Sequence, residues 1–103
     1  MIYKQAKTIL YVEDEINIQK EMVEVLELFC EKLFLGSNGE QGLEQYRLHQ
    51  PDIVVSDIRM PNMDGIEMVK KIKKINSKAR VIFTTAFSDV DYFVEAINLQ
   101  VDG

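Results

Sequence analysis

Residues 53–65, IVVSDIRMPNMDG, run an apolar, β-branched stretch straight into Asp57, with a Met-Pro turn a few residues beyond it. A short, continuously apolar run of this kind predicts a strand buried on both faces. Burying a strand that ends in a carboxylate is costly unless the acid is paired, capped or used. Asp57 is therefore either a structural cap or the point where chemistry happens, and the residues around it decide.

Outward from this stretch the chain alternates. KTILYV (7–12), KLFLGS (32–37), DIVVSD (52–57) and ARVIFTTA (79–86) predict four strands. Between them lie helical periodicities: Ile18, Met22, Val25, Leu26 and Phe29 within 15–30, then Leu43, Tyr46 and Leu48 within 39–49, where Asn38 is the predicted cap. Asp64-Gly65 opens a third helix carrying Ile66, Val69, Ile72 and Ile75, and Ser88 or Asp89 starts a fourth with Val90, Phe93, Val94 and Ile97. Strict alternation implies parallel strands joined by right-handed crossovers, a doubly wound α/β sheet.

Composition narrows the function. The 103 residues make one domain, 47% hydrophobic and 28% charged, as in globular chains. Net charge is −5, which argues against nucleic acid as a direct partner, because phosphate backbones demand excess positive charge. The basic cluster of Lys70, Lys71, Lys73, Lys74 and Lys78 reads as a solvated helix end. No apolar run approaches the roughly 18 residues that a membrane span requires, and the start has no signal-peptide layout. The expected compartment is the cytoplasm. Cys30 is alone, so it forms no internal disulfide and reads as a packing residue. His49 reads as a surface residue at a helix end.

Doubly wound sheets carry their sites at the carboxyl ends of the strands. The first predicted strand ends at Glu13-Asp14, the third at Asp57 and the fourth at Thr84-Thr85, which puts three carboxylates and two hydroxyls on one edge. Packed acids repel one another, and a hard divalent cation relieves that; Mg²⁺ takes one or two carboxylates with waters and phosphate oxygens. Glu13, Asp14, Asp57 and the main-chain carbonyl of Arg59 are the candidate ligands. One Asp57 oxygen remains a candidate nucleophile towards phosphorus, and Thr85 a candidate contact for the phosphoryl oxygens. Each residue also has a structural reading: Asp14 as a helix cap, Asp57 as a loop acid, Thr84 and Thr85 as strand formers. Pro61 and Gly65 are assigned to turn geometry and Asp64 to capping. The methionines, Met60 and Met63 included, are gap-fillers.

The acidic pair in ILYVEDE, the acceptor stretch VVSDIRMPNMDG and the hydroxyl-small pair in VIFTTAFSD, in that order, resemble the receiver domains of two-component response regulators, the CheY-like family. The resemblance covers essentially the whole chain. It implies a flavodoxin-like fold with strand order 2-1-3-4 and Mg²⁺-dependent phosphorylation of Asp57 by a histidine kinase's phosphohistidine. It implies Glu13 and Asp14 as metal ligands, Thr85 as the switch hydroxyl and Ala86 as its small neighbour. It also implies signal transduction in a phosphorelay to an output domain or protein. The domain would catalyse only its own phosphorylation and dephosphorylation. At Arg59 and Phe87 the family lines the approach to the phosphoryl group; here both either shield it or face solvent and partners.

One departure stands out. The family adds a fifth strand bearing a phosphoryl-contacting lysine, and a fifth helix;...EAINLQVDG ends where that strand begins. The expectation is a receiver domain over 1–103 shortened at its C-terminus, with slower phosphorylation, uncoupled output, and self-association or domain exchange through the exposed edge. The alternatives are a pseudo-receiver that binds partners without phosphorylation and a phosphatase with an aspartyl intermediate. The second lacks both an acid two residues after Asp57 and room for a substrate cap.

Overall fold

The computed structural model describes residues 6–84. Four strands, β1 (Ala6–Val12), β2 (Cys30–Gly36), β3 (Ile53–Asp57) and β4 (Arg80–Thr84), form one parallel sheet in the order β2-β1-β3-β4. Helices α1 (Ile16–Leu26), α2 (Gly39–His49) and α3 (Gly65–Ile75) make the crossovers. This is the flavodoxin-like doubly wound arrangement. The expected residues of the last strand beyond Thr84, the fourth helix, and Thr85, Ala86 and Phe87 lie outside the described residues.

The strands alternate their side chains between two apolar layers. On one face Leu10, Val12, Val54 and Val81 pack with Leu43 and Tyr46 of α2 and Met68, Val69 and Ile72 of α3. On the other, Ile9, Tyr11 and Val55 pack with Leu26 and Cys30. Val54 and Val55, successive residues of the opening stretch, sit in different layers, which is why β3 reads as unbroken apolar sequence.

Three caps fix the loops that follow the strands. Asn38 accepts from Gln41 N at 2.8 Å and Asp64 from Glu67 N at 2.8 Å, both as expected. The cap of α1 is Glu15, whose carboxylate accepts from Asn17 N at 3.0 Å, and not Asp14. At the opposite end of the sheet, Asp52 Oδ2 accepts from Lys7 N and Thr8 N at 2.9 and 3.1 Å, tying β1 to the start of β3.

Several core expectations are corrected. α1 turns Gln19 and Leu26 inward, while Ile18, Val25 and Phe29 are exposed. Leu26 and Met22 of the expected stripe do pack inward, and the buried polar Gln19 takes the place beside them that the exposed apolar positions suggested for another residue. α1 also stops at Leu26, and Cys30 begins β2, its thiol donating to Leu26 O. Leu48 is exposed, because Gly39, Gly42, Leu43 and Tyr46 define the inner side of α2. Ile75 is exposed at the end of α3. Lys73 Nζ donates to Ala79 O beside the α3 terminus, and Lys70, Lys71, Lys74 and Lys78 are exposed, in keeping with a solvated helix end.

Candidate functional site at the carboxyl edge of the sheet

β1 and β3 are adjacent and parallel, with Val12 paired to Ser56, so the residues that follow them emerge side by side. Glu13, Asp14 and Asp57 each bring a carboxylate oxygen into a group in which all three lie within 4.8 Å of one another. Glu13 is buried, Asp57 half-buried and Asp14 exposed, so the cluster is anchored on one side and open to solvent on the other.

The main chain holds this arrangement from below. Glu13 N donates to Gly36 O at 3.1 Å, joining the ends of β1 and β2. The buried amide of Gln19 donates from Nε2 to Glu13 O at 3.2 Å and Gly36 O at 3.3 Å. Gln19 thus fastens α1 to both strand ends, a role that composition gives no hint of. Asp57 Oδ1 accepts from Ile58 N at 2.8 Å, and Ser56 Oγ donates to Asp57 O at 2.7 Å. Thr84, opposite Asp57 in the β3–β4 register, donates its hydroxyl to Ser56 O at 3.5 Å. That hydroxyl is thus engaged with main chain.

Gly65 is needed for a reason other than the expected one. Its φ is not in the left-handed region; instead, a Cβ there would sit 2.2 Å from Asp57 O and 3.1 Å from Ile58 Cα. Gly65 N donates to Ile58 O at 2.7 Å, so α3 starts in direct contact with the chain that carries Asp57. The positive φ of this loop falls on Asn62, at 68°, immediately after exposed Pro61. Asparagine tolerates that conformation better than most residues. Arg59 is exposed in the same loop.

The buried acid of this cluster has a displaced proton equilibrium. Burial pushes the Glu13 carboxyl up from 4.5 to about 7; the Glu15 N–H opposes this, while the charges of Asp57 and Asp14 reinforce it. In the metal-free protein, a folded-state pKa above the unfolded value stabilises the fold fully below pH 4.5. That contribution is lost as pH rises towards 7, because the unfolded chain releases the proton first. We expect Glu13 to remove on the order of 2 kcal/mol of stability across this window. Urea melts of the metal-free protein against Glu13→Gln test it. The variant should lose the downward slope, and parallel profiles would show that Glu13 does not carry it.

The carboxylate set fits a hard divalent cation. Oxygen donors are what Mg²⁺ takes, and the open side leaves room for water or phosphate oxygens. A cation would also offset the charges of Asp57 and Asp14 that help raise the Glu13 carboxyl.

The response regulator receiver domain family matches residues 9–103. The chain is 37% identical over 93 residues to the chemotaxis protein CheY of Bacillus subtilis, covering 89% of this chain and 78% of that protein. The fold superposes on the N-terminal domain of an uncharacterized protein from Wolinella succinogenes with a TM-score of 0.85 at 36% identity, covering 94% of this chain and 78% of that one. It also matches a chain in the CheX–CheY–BeF3–Mg²⁺ complex from Borrelia burgdorferi, with a TM-score of 0.83, 25% identity, and coverage of 93% and 74%.

Proposed function

This chain belongs to the response regulator receiver domain family, and on that footing we propose that it is a phospho-accepting signalling switch with Asp57 as the acceptor. Receiver domains take part in two-component phosphorelay signalling, interact with phosphodonors and output domains, and bind Mg²⁺ through acidic residues. The observation that carries the proposal for this chain is the convergence of Glu13, Asp14 and Asp57 within 4.8 Å at the carboxyl edge of the sheet.

In the proposed reaction, an Asp57 carboxylate oxygen attacks phosphorus as the P–N bond of a kinase phosphohistidine breaks. The electron pair leaves with the imidazole, and an acyl phosphate forms on Asp57. Ile58 N donates to Asp57 Oδ1 at 2.8 Å, which orients the carboxylate, and the other oxygen is the proposed nucleophile. Glu13, Asp14, Asp57 and the Arg59 carbonyl are the proposed Mg²⁺ ligands. Bound Mg²⁺ supplies positive charge that lets the carboxylates and phosphoryl oxygens approach one another. Gln19 and Gly65 fix the two loops so that little reorganisation is needed at the moment of transfer. Thr85 is the proposed phosphoryl contact and Ala86 its proposed small neighbour, with Arg59 and Phe87 the proposed residues at the approach. Pro61 shapes the turn after the acceptor. The proposed phosphodonor is a histidine kinase, the expected setting the cytoplasm, and the readout an output domain or protein.

Among the described residues no helix is long and apolar enough to cross a membrane. Incubation with Mg²⁺ and acetyl phosphate followed by intact mass measurement tests the proposal. A single phosphoryl adduct that disappears with chelator is the expected result. Absence of any adduct would point to a phosphorylation-independent interaction module. Steady hydrolysis of the donor without an adduct would point to an enzyme.

A further inference from the structure

Tyr11 is, with Tyr46, one of the two largest fully buried side chains among the described residues, at 0% exposure. It lies in the middle strand β1, paired with Leu35 of β2 and Val55 of β3, and its ring fills the apolar layer with Ile9, Leu26 and Val55. For packing alone a phenylalanine would serve. The hydroxyl that tyrosine adds is buried and has no hydrogen-bond partner among the described residues. An unpartnered hydroxyl in so dry a place is destabilising, and such groups in native proteins call for an explanation.

The surroundings supply one. Glu13 follows Tyr11 by two residues, so the strand period puts both on the same face. The charges of the Glu13 and Asp57 carboxylates act on the phenol, Glu13 the more strongly of the two. A phenol is a donor at neutral pH, and an ionised carboxylate only accepts. Metal-ligating carboxylates are commonly held by a hydrogen bond from behind, which fixes their orientation and raises metal affinity.

We propose that Tyr11 is a positioning residue for the cation site, its hydroxyl donating to the Glu13 carboxylate from the buried side when Glu13 holds the metal. This inference rests on the reading of Glu13 as a Mg²⁺ ligand. The apolar layer around Tyr11 leaves its ring little freedom to turn away.

Calorimetric Mg²⁺ titration of the wild-type chain and Tyr11→Phe separates this role from simple packing. The variant should bind Mg²⁺ about 10-fold more weakly, while its metal-free melting temperature stays level or rises. A purely structural role would lower the melting temperature and leave Mg²⁺ affinity alone. A second readout needs no variant: Mg²⁺ added to the wild type should shift the tyrosine absorption band as the phenol gains the Glu13 carboxylate as its acceptor. Equal Mg²⁺ affinity in the two proteins, or a wild type that binds Mg²⁺ without any tyrosine shift, overturns the role of Tyr11 and leaves the phosphoacceptor reading standing. A wild type that binds no Mg²⁺ overturns both.

Discussion

Asp57→Asn is expected to abolish phosphoryl acceptance while the fold persists. Asparagine keeps an oxygen that can accept from Ile58 N, the 2.8 Å bond that orients the side chain, and it sits at the end of β3 with nearly the same volume. What it loses is the negative charge and the nucleophilic oxygen. Removing an activated nucleophile typically costs several orders of magnitude in rate, so the adduct should fall below detection over times that saturate the wild type. The same change removes one of the charges that raise the Glu13 carboxyl. The stability profile of metal-free Asp57→Asn should therefore fall less steeply between pH 4.5 and 7. Phosphoryl incorporation equal to wild type would place the acceptor elsewhere.

The second large effect is expected at Gly65. An added Cβ meets Asp57 O at 2.2 Å and Asp57 C at 3.1 Å, and both are backbone atoms pinned in a sheet terminus. Neither can give way as a side chain can. Gly65→Ala must push α3 away from β3 or tilt the peptide after Asp57. Overpacking of this kind costs about 3 kcal/mol, and more where backbone has to move. Phosphoryl acceptance should drop with it, because the moved peptide also presents Ile58 N to the acceptor carboxylate. Gly42 offers a contrast. A Cβ there meets Met68 Sδ at 2.6 Å and Val12 Cγ2 at 2.7 Å, both side-chain atoms. Gly42→Ala should be milder than Gly65→Ala in chemical denaturation and should keep more of the adduct. The reverse order would mean that the β3–α3 junction is softer than its geometry implies.

Alternation of apolar runs and helical periodicities made the α/β class legible, and the acids at two strand ends marked the edge that carries the site. That works because β1 and β3 are buried on both faces, so their sequences tolerate little besides apolar residues until the chain leaves the sheet. The inner face of α1 was not legible in the same way. Gln19 is buried because its amide meets two main-chain carbonyls, and no periodicity of apolar residues reports a satisfied polar group. The choice between Asp14 and Glu15 as cap depended on where the chain turns after β1, which adjacent acids do not encode. Gly65 was expected to serve backbone freedom, but the need for glycine comes from Asp57 O, eight residues away and brought close only by the crossover. Tyr11 read as one more apolar position of a strand. Its significance lies in what its hydroxyl lacks, which only the packed layer around it shows.

The central claim is that the fold holds Asp57 beside Glu13 and Asp14 so that it can accept a phosphoryl group with Mg²⁺ present. Borohydride reduces an acyl phosphate but leaves a free carboxylate untouched. The most direct measurement is therefore to treat the chain with acetyl phosphate and Mg²⁺, reduce it, and map the modified residue by peptide sequencing. Reduction at position 57 alone, absent without Mg²⁺, is the result predicted. Modification at any other residue, or at Asp57 regardless of Mg²⁺, would contradict it.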